Sequence, residues 1–212
     1  MVSELDHSFN PVGGLHHATR DSSAGFCVFN DVGVAIEVLR KNHGVRRILY
    51  VDIDVHHGDG VFYSYESDPE LFIFDLHEDG RYLYPGTGFQ SETGKGAAEG
   101  TKFNLPLPPG ADDENVAESL PKLEEIVDKC RPEFIIFQCG ADGLAGDPIA
   151  GLNYSTNSHS MVGEVLHTAA HRYCSGRLLA LGGGGYKPEN CARAWCAVVR
   201  ILAQSRENLT KK

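Results

Sequence analysis

Four short runs constrain the fold of this chain more than any other feature. Residues 48–53, 71–76, 134–138 and 178–181 are apolar runs with no alternation. A strand with one face in water alternates, whereas a strand covered on both faces does not. Helical stripes lie between the runs. Residues 31–42 carry apolar side chains at 32, 34, 35, 36, 38 and 39. Residues 114–130 align Val116, Leu120, Leu123, Ile126 and Val127 at helical spacing, with Asp112 and Asp113 just ahead as caps. Residues 155–173 and 188–203 read the same way, the latter with Pro188 in its first turn. Strand and helix alternate. The fold class is therefore α/β, a three-layer, mostly parallel sheet with helices on both faces.

One stretch breaks the rhythm. Residues 77–101 are rich in Gly, Thr and Glu and show little periodicity, which marks a long loop of the kind that carries function. The tail from Arg206 reads as frayed. A length of 212 residues, 42% of them hydrophobic and 23% charged, suits one domain spanning 1–212 with a substantial core. No apolar run approaches the ~18–20 residues of a membrane span, and residues 1–11 lack a secretory pattern. The cysteines at 27, 130, 139, 174, 191 and 196 form no Cys-x-x-Cys pair, so zinc-ribbon and thioredoxin readings fail. They read as small core residues, reduced in a cytoplasm. The net charge of −10 argues against nucleic acid as a direct partner and tolerates a cationic substrate.

In open α/β sheets ligands bind outside the carboxyl ends of the strands. The run at 48–53 leads into Asp52-Ile53-Asp54-Val55-His56-His57-Gly58-Asp59-Gly60. Asp52, Asp54 and His56 are two apart and project to one side of an extended backbone. The run at 134–138 leads to Asp142. Asp54, His56 and Asp142 together make a one-His, two-Asp triad with room for water, suited to Zn2+ or Fe2+. Asp147, before Pro148, reads as the cap of a turn. The run at 178–181 leads into four glycines and Tyr186, a candidate donor to a developing oxyanion. Upstream, His16 and His17 follow Gly13-Gly14-Leu15. A metal–water site needs a base, and imidazole titrates in the right range. Asp52 and Asp59 are free to orient the two imidazoles.

The motifs GGLHHA, SAGFCVFND, YVDIDVHHGDGVFY, YPGTG, QCGAD, AGDP and LGGGGY followed by ARAW, in this order, resemble the histone deacetylase superfamily, in particular its bacterial and archaeal branch that includes the acetoin utilisation proteins. The resemblance runs from about residue 10 to about residue 202. It implies the arginase/deacetylase fold and a zinc-dependent deacetylase acting on linear amides. By resemblance Asp54, His56 and Asp142 hold the metal, and His16 and His17 are the tandem histidines, His17 being the base and acid. Asp52 partners His16, Asp59 partners His17, and Tyr186 polarises the carbonyl. Gly25, Phe26 and Tyr84 line an acyl-lysine tunnel. A monovalent cation, K+, is implied at Asp52 with Asp54 and His56. Three positions depart from the common pattern: Tyr84 replaces Phe, Gly143 replaces Ser, and Asp75 replaces Ser beside the monovalent site.

The expected substrates are acylated lysine in proteins, acetylpolyamines or small acyl amides. The rivals are a ureohydrolase with two manganese ions and a metal-binding homologue that is weakly active or inactive. One further expectation concerns the N-terminus. The residues before His16 show no strand pattern, so the chain reads as N-terminally shortened, lacking the family's first strand-helix units. The strand at 48–53 is then expected to have an open neighbour position, inviting a homo-oligomer with a second copy of the chain.

Overall fold

The computed structural model describes residues 6–204. The frayed tail expected from Arg206 lies outside the described residues. Six strands, β1 (His7–Asn10), β2 (Ile48–Asp52), β3 (Leu71–Glu78), β4 (Lys102–Leu107), β5 (Phe134–Gln138) and β6 (Leu178–Leu181), form one parallel sheet in the order β1-β6-β5-β2-β3-β4. The helices are α1 (Asp31–His43), α2 (Asp59–Ser64), α3 (Asp113–Cys130), α4 (Thr156–Tyr173) and α5 (Pro188–Leu202).

The sheet separates two cores, as runs apolar on both faces require. Leu49 and Val51 of β2, Phe72 and Phe74 of β3 and Phe137 of β5 face α3, α4 and α5. Ile48 and Tyr50, Leu71 and Ile73, and Ile136 face α1 and α2. Local signals start and stop the helices. Asn30 Oδ1 accepts from Gly33 N at 2.9 Å to cap α1, and Gly44 ends it in the left-handed region at φ 67°. Asp112 and Asn115 form a capping box on α3, and Ser155 caps α4. Asp113 instead bonds Ser155 and Ser158, tying α3 to α4. No helix among the described residues is long and apolar enough to cross a membrane.

Two expectations are corrected. A strand does precede His16: β1 pairs with β6, from His7 opposite Leu178 to Asn10 opposite Leu181. It was illegible because its four residues, with Phe9 the one apolar side chain, are too few for an alternation to register. The strand at 48–53 has no open neighbour position either. β2 sits between β5 and β3 and is buried throughout. The argument for pairing through that edge falls with it. Two further elements escaped the sequence. β4 is an edge strand whose Lys102, Asn104 and Pro106 break the apolar pattern, and α2 is too short for a stripe to register. The loop after β3 is ordered by its own contacts: Glu92 Oε2 accepts from the amides of Gly88 at 2.9 Å and Phe89 at 2.7 Å.

Candidate active site

Because all six strands are parallel, their carboxyl ends share one edge of the sheet. Chain order reverses between β2 and β5: β2 leads outward to β3 and β4, and β5 leads outward to β6. A crevice opens outside the strand ends at such a switch point. β2 delivers Asp54 and His56 there, β5 delivers Asp142, and β6 delivers Gly182–Tyr186. β1 delivers the loop holding His16 and His17 to the same edge.

Asp54, His56 and Asp142 are buried and bring their ligand atoms within 4.8 Å of one another. His56 Nδ1 lies 3.0 Å from Asp54 Oδ1 and 3.2 Å from Asp142 Oδ2. A single Nδ1 proton can be aimed at only one of them, and Asp142 Oδ2 is left without an aligned donor. Burial and the nearby Asp54 carboxylate push Asp142 up to about 7. Burial works against a charge on His56, but hydrogen bonds to Asp142 and Asp54 outweigh it and raise the imidazole to about 10. Asp54 falls well below the carboxylate range: burial opposes its charge, and His16, His56 and Gln138 more than compensate. Two buried carboxylates facing one imidazole make a centre that gains from a cation. Gly184 keeps it open, since a Cβ there would stand 2.0 Å from Asp142 Oδ2. The separations between these ligand atoms approximate the edges of a tetrahedral shell, ~3.3 Å for bonds of about 2 Å. The residues fit a divalent metal.

The tandem histidines are each backed by a carboxylate. His16 Nδ1 donates to Asp52 Oδ2 at 2.7 Å, and His17 Nδ1 donates to Asp59 Oδ1 at 2.6 Å. With both Nδ1 protons so placed, the two Nε2 atoms face each other at 3.1 Å and hold one proton between them. The electrostatics agree. Burial opposes charge on His16, but Asp52 and Asp54 hold it well above the ordinary range. Burial, together with the neighbouring His16, draws His17 down despite Asp59. Burial lifts Asp52 to about 6, with His16 pulling the other way. Gly25 closes tightly on the pair: it takes φ 52°, and a Cβ there would meet His17 Cδ2 at 2.2 Å.

A cavity of about 80 Å³ opens onto His16, His17, Asp54, His56, Asp142 and Tyr186. The Tyr186 ring is 42% exposed, and its backbone N–H donates to Asp147 Oδ2 at 2.8 Å. Asp147 therefore does more than cap its turn, where Oδ1 accepts from Ile149 N. Burial and the Asp142 and Asp54 charges push the Tyr186 phenol up to about 12, so it stays a donor. Phe26, 87% exposed, meets Tyr186 edge-on with centroids 6.2 Å apart. Tyr84 stands over His17 instead, at 5.1 Å. Asp75 lies beside Asp52 in the β2–β3 register. Its charge is matched by His77, whose Nδ1 donates to Asp75 Oδ1 at 2.6 Å.

Some supporting residues were missed. Gln138 Nε2 donates to Asp54 Oδ2 at 2.8 Å while its Oε1 accepts from Gly140 N at 2.8 Å, fixing both the carboxylate and the chain leading to Asp142. Tyr50 Oη donates to Asp52 Oδ2. Asp31 accepts from Gly14 N and Leu15 N and pins the tandem-histidine loop. Gln138 and Tyr50 carried a signal, a polar group inside an apolar strand with its face fixed by a later carboxylate. Asp31 carried none beyond its place at a helix start.

The fold and this cluster define a class: parallel α/β proteins that gather carboxylates and imidazoles at a switch point. A model of the histone deacetylase domain matches residues 1–202, and the chain belongs to that family. It is 40% identical over 201 residues to the acetoin utilization protein AcuC of Bacillus subtilis (strain 168), covering 92% of this chain and 52% of that protein. It is 39% identical over 197 residues to histone deacetylase clr6 of Schizosaccharomyces pombe, covering 92% and 47%. The crystal structure of an HDAC homologue complexed with SAHA matches with a TM-score of 0.84 at 37% identity, covering 93% of this chain and 52% of that one. An HDAC homologue from Aquifex aeolicus matches with a TM-score of 0.84 at 35% identity, covering 96% and 56%. The chain spans about half the length of these relatives.

Proposed function

We propose that this chain is a metal-dependent amide hydrolase that removes acetyl groups from lysine side chains or related alkylamines. One observation carries the reading: an Asp-His-Asp ligand set and two carboxylate-backed histidines open onto one cavity that Tyr186 also lines. Asp54, His56 and Asp142 would hold Zn2+ or Fe2+. When bound, such an ion supplies Lewis-acid polarisation and lowers the pKa of water.

The side chains do the rest. Asp59 fixes the His17 tautomer, so that its Nε2 lone pair, which at rest faces the His16 Nε2–H, turns to accept the proton of the attacking water. That proton passes to the leaving nitrogen as the C–N bond breaks, giving acetate and free amine. His16, held charged by Asp52, places a positive charge beside the forming oxyanion. The Tyr186 phenol donates to the former carbonyl oxygen. Phe26 and Tyr84 bound the route of the alkyl chain, and the chain's net negative charge favours a cationic amine product. K+ would sit against Asp52, whose neighbour Asp75 already has an internal counter-charge in His77.

The test is a panel of acetyl-lysine peptides, acetylpolyamines and small acyl amides, assayed with zinc-loaded and iron-loaded protein. Turnover of at least one class at one ion per hydrolytic centre is expected. No turnover on any member by folded, loaded protein would overturn the reading and favour a metal-binding homologue.

A further inference from the structure

A second cluster of metal-ligating side chains lies far from the first. His167 and His171 are one turn apart on α4 and share a face of the helix. His7 opens β1 and reaches across to them. The ring centroids form a triangle: His7 to His167 4.9 Å, His7 to His171 5.0 Å and His167 to His171 4.7 Å. One ligand atom from each lies within 4.8 Å of the other two. The register puts His7 opposite Leu178, the first residue of β6, whereas the hydrolytic centre follows the last residues of the strands. The two clusters therefore occupy opposite edges of the sheet.

Counting protons shows what the cluster lacks. His7 Nε2 and His167 Nδ1 are 2.8 Å apart, so one proton lies between them. A neutral pair of imidazoles has a second proton, which must sit on His7 Nδ1 or His167 Nε2. Both of those atoms are buried and have no hydrogen-bond partner. Every neutral tautomer therefore leaves a buried N–H without a well-aligned partner, on His7 with only the Gly176 and Asp6 backbone nearby, an arrangement that costs stability.

We propose that His7, His167 and His171 form a second metal site, for a borderline divalent transition-metal ion such as Zn2+ or Ni2+, which clips the edge strand β1 to helix α4. Three imidazole nitrogens suit such ions and not Mg2+ or Ca2+, which prefer oxygen. An ion at bond lengths of ~2.0–2.1 Å needs nitrogens about 3.3 Å apart; the His7–His167 pair, at 2.8 Å, gives up its shared proton and parts slightly while His171 closes in.

The experiment measures zinc content after equilibrium dialysis of the untagged full chain. His171→Ala and His171→Gln should each hold one ion fewer than the parent, whatever the hydrolytic centre contains. His56→Ala should still show zinc-dependent stabilisation in thermal unfolding, and His56→Ala/His171→Ala should show none. Circular dichroism checks that each variant is folded, and the Gln variant keeps the position helical and polar. Equal zinc content in the parent and both folded His171 variants would overturn the proposal. So would zinc-dependent stabilisation that survives in the double variant.

Discussion

The two edges of the sheet carry opposite solutions to a buried polar cluster. At the carboxyl edge, two carboxylates and one imidazole converge, and nearly every other lone pair around them is spoken for. Asp54 alone accepts from Gln138, from the Gly184 amide and from the His56 amide. At the amino edge, three imidazoles and no carboxylate converge, with a single hydrogen bond among them. The first cluster is held in place by its surroundings and depends on charge. The second is held by a helix face and a strand end, and depends on the softness of its nitrogens. A rigid, charged, supported centre can do chemistry on a substrate, whereas a clip built of imidazoles alone ties elements together.

The largest expected effect falls on the carboxyl edge. Asp142→Ala removes a ligand and should abolish both metal retention there and turnover. The same variant should leave the zinc response of the histidine cluster intact, which metal content read alongside activity will check. Tyr186→Phe comes next. It should lower kcat by roughly 10²–10³ with metal content unchanged, because it removes one donor to the oxyanion. Full activity in the Phe variant would remove Tyr186 from the mechanism.

The supporting residues sharpen the contrast. Gln138→Leu removes a donor from a ligand, so metal affinity should fall about 10–100-fold, measured by competition with a chelator. Asp59→Asn acts on His17 and not on a ligand. Turnover should fall by about 10–100-fold while metal affinity stays at the parent value. If Asp59→Asn loses the metal instead, the two residues have exchanged roles.

The same contrast explains what could be read from the sequence. Asp52, Asp54 and His56 announce themselves because they are two apart on one strand end, and parallel strands bring Asp142 and Tyr186 to that edge. All the predicted metal, histidine and carboxylate positions do meet there. The histidine cluster spans 160 residues between His7 and His167, and its strand was invisible, so only topology could join it. His167 and His171 were legible as a pair one turn apart, but nothing in the sequence pointed to a third member. The misplaced expectation of an open edge beside β2 has the same origin. It assumed that strand-helix units absent before His16 would have flanked 48–53, whereas β5 crosses back to pair with β2 and fills that position.

A third buried group tests what full satisfaction looks like. Lys102 of β4 is buried, and its Nζ donates to Asp68 O at 2.8 Å, Leu71 O at 2.5 Å and Thr101 Oγ1 at 2.9 Å. All three protons are placed, so no ion or further partner is called for. Lys102→Met should destabilise the fold by roughly 1–3 kcal/mol at pH 7, since two carbonyls and a hydroxyl lose their donor. The pH dependence has a definite sign. Burial lowers Lys102 from 10.5 to about 8 in the folded chain. Between about pH 8 and 10.5 the unfolded chain binds more protons than the folded one, so this lysine makes the fold more stable as pH rises. Below pH 8 both states are protonated and the contribution is flat. Cys130 and Cys174, raised by burial to about 12, work in the opposite direction above pH 9. They are common to parent and variant, so the difference between the two chains isolates the lysine. Chemical denaturation at pH 7.5, 9 and 10 should show that difference widening with pH. A constant difference would mean that the three acceptors hold Lys102 charged in the fold at its unfolded pKa.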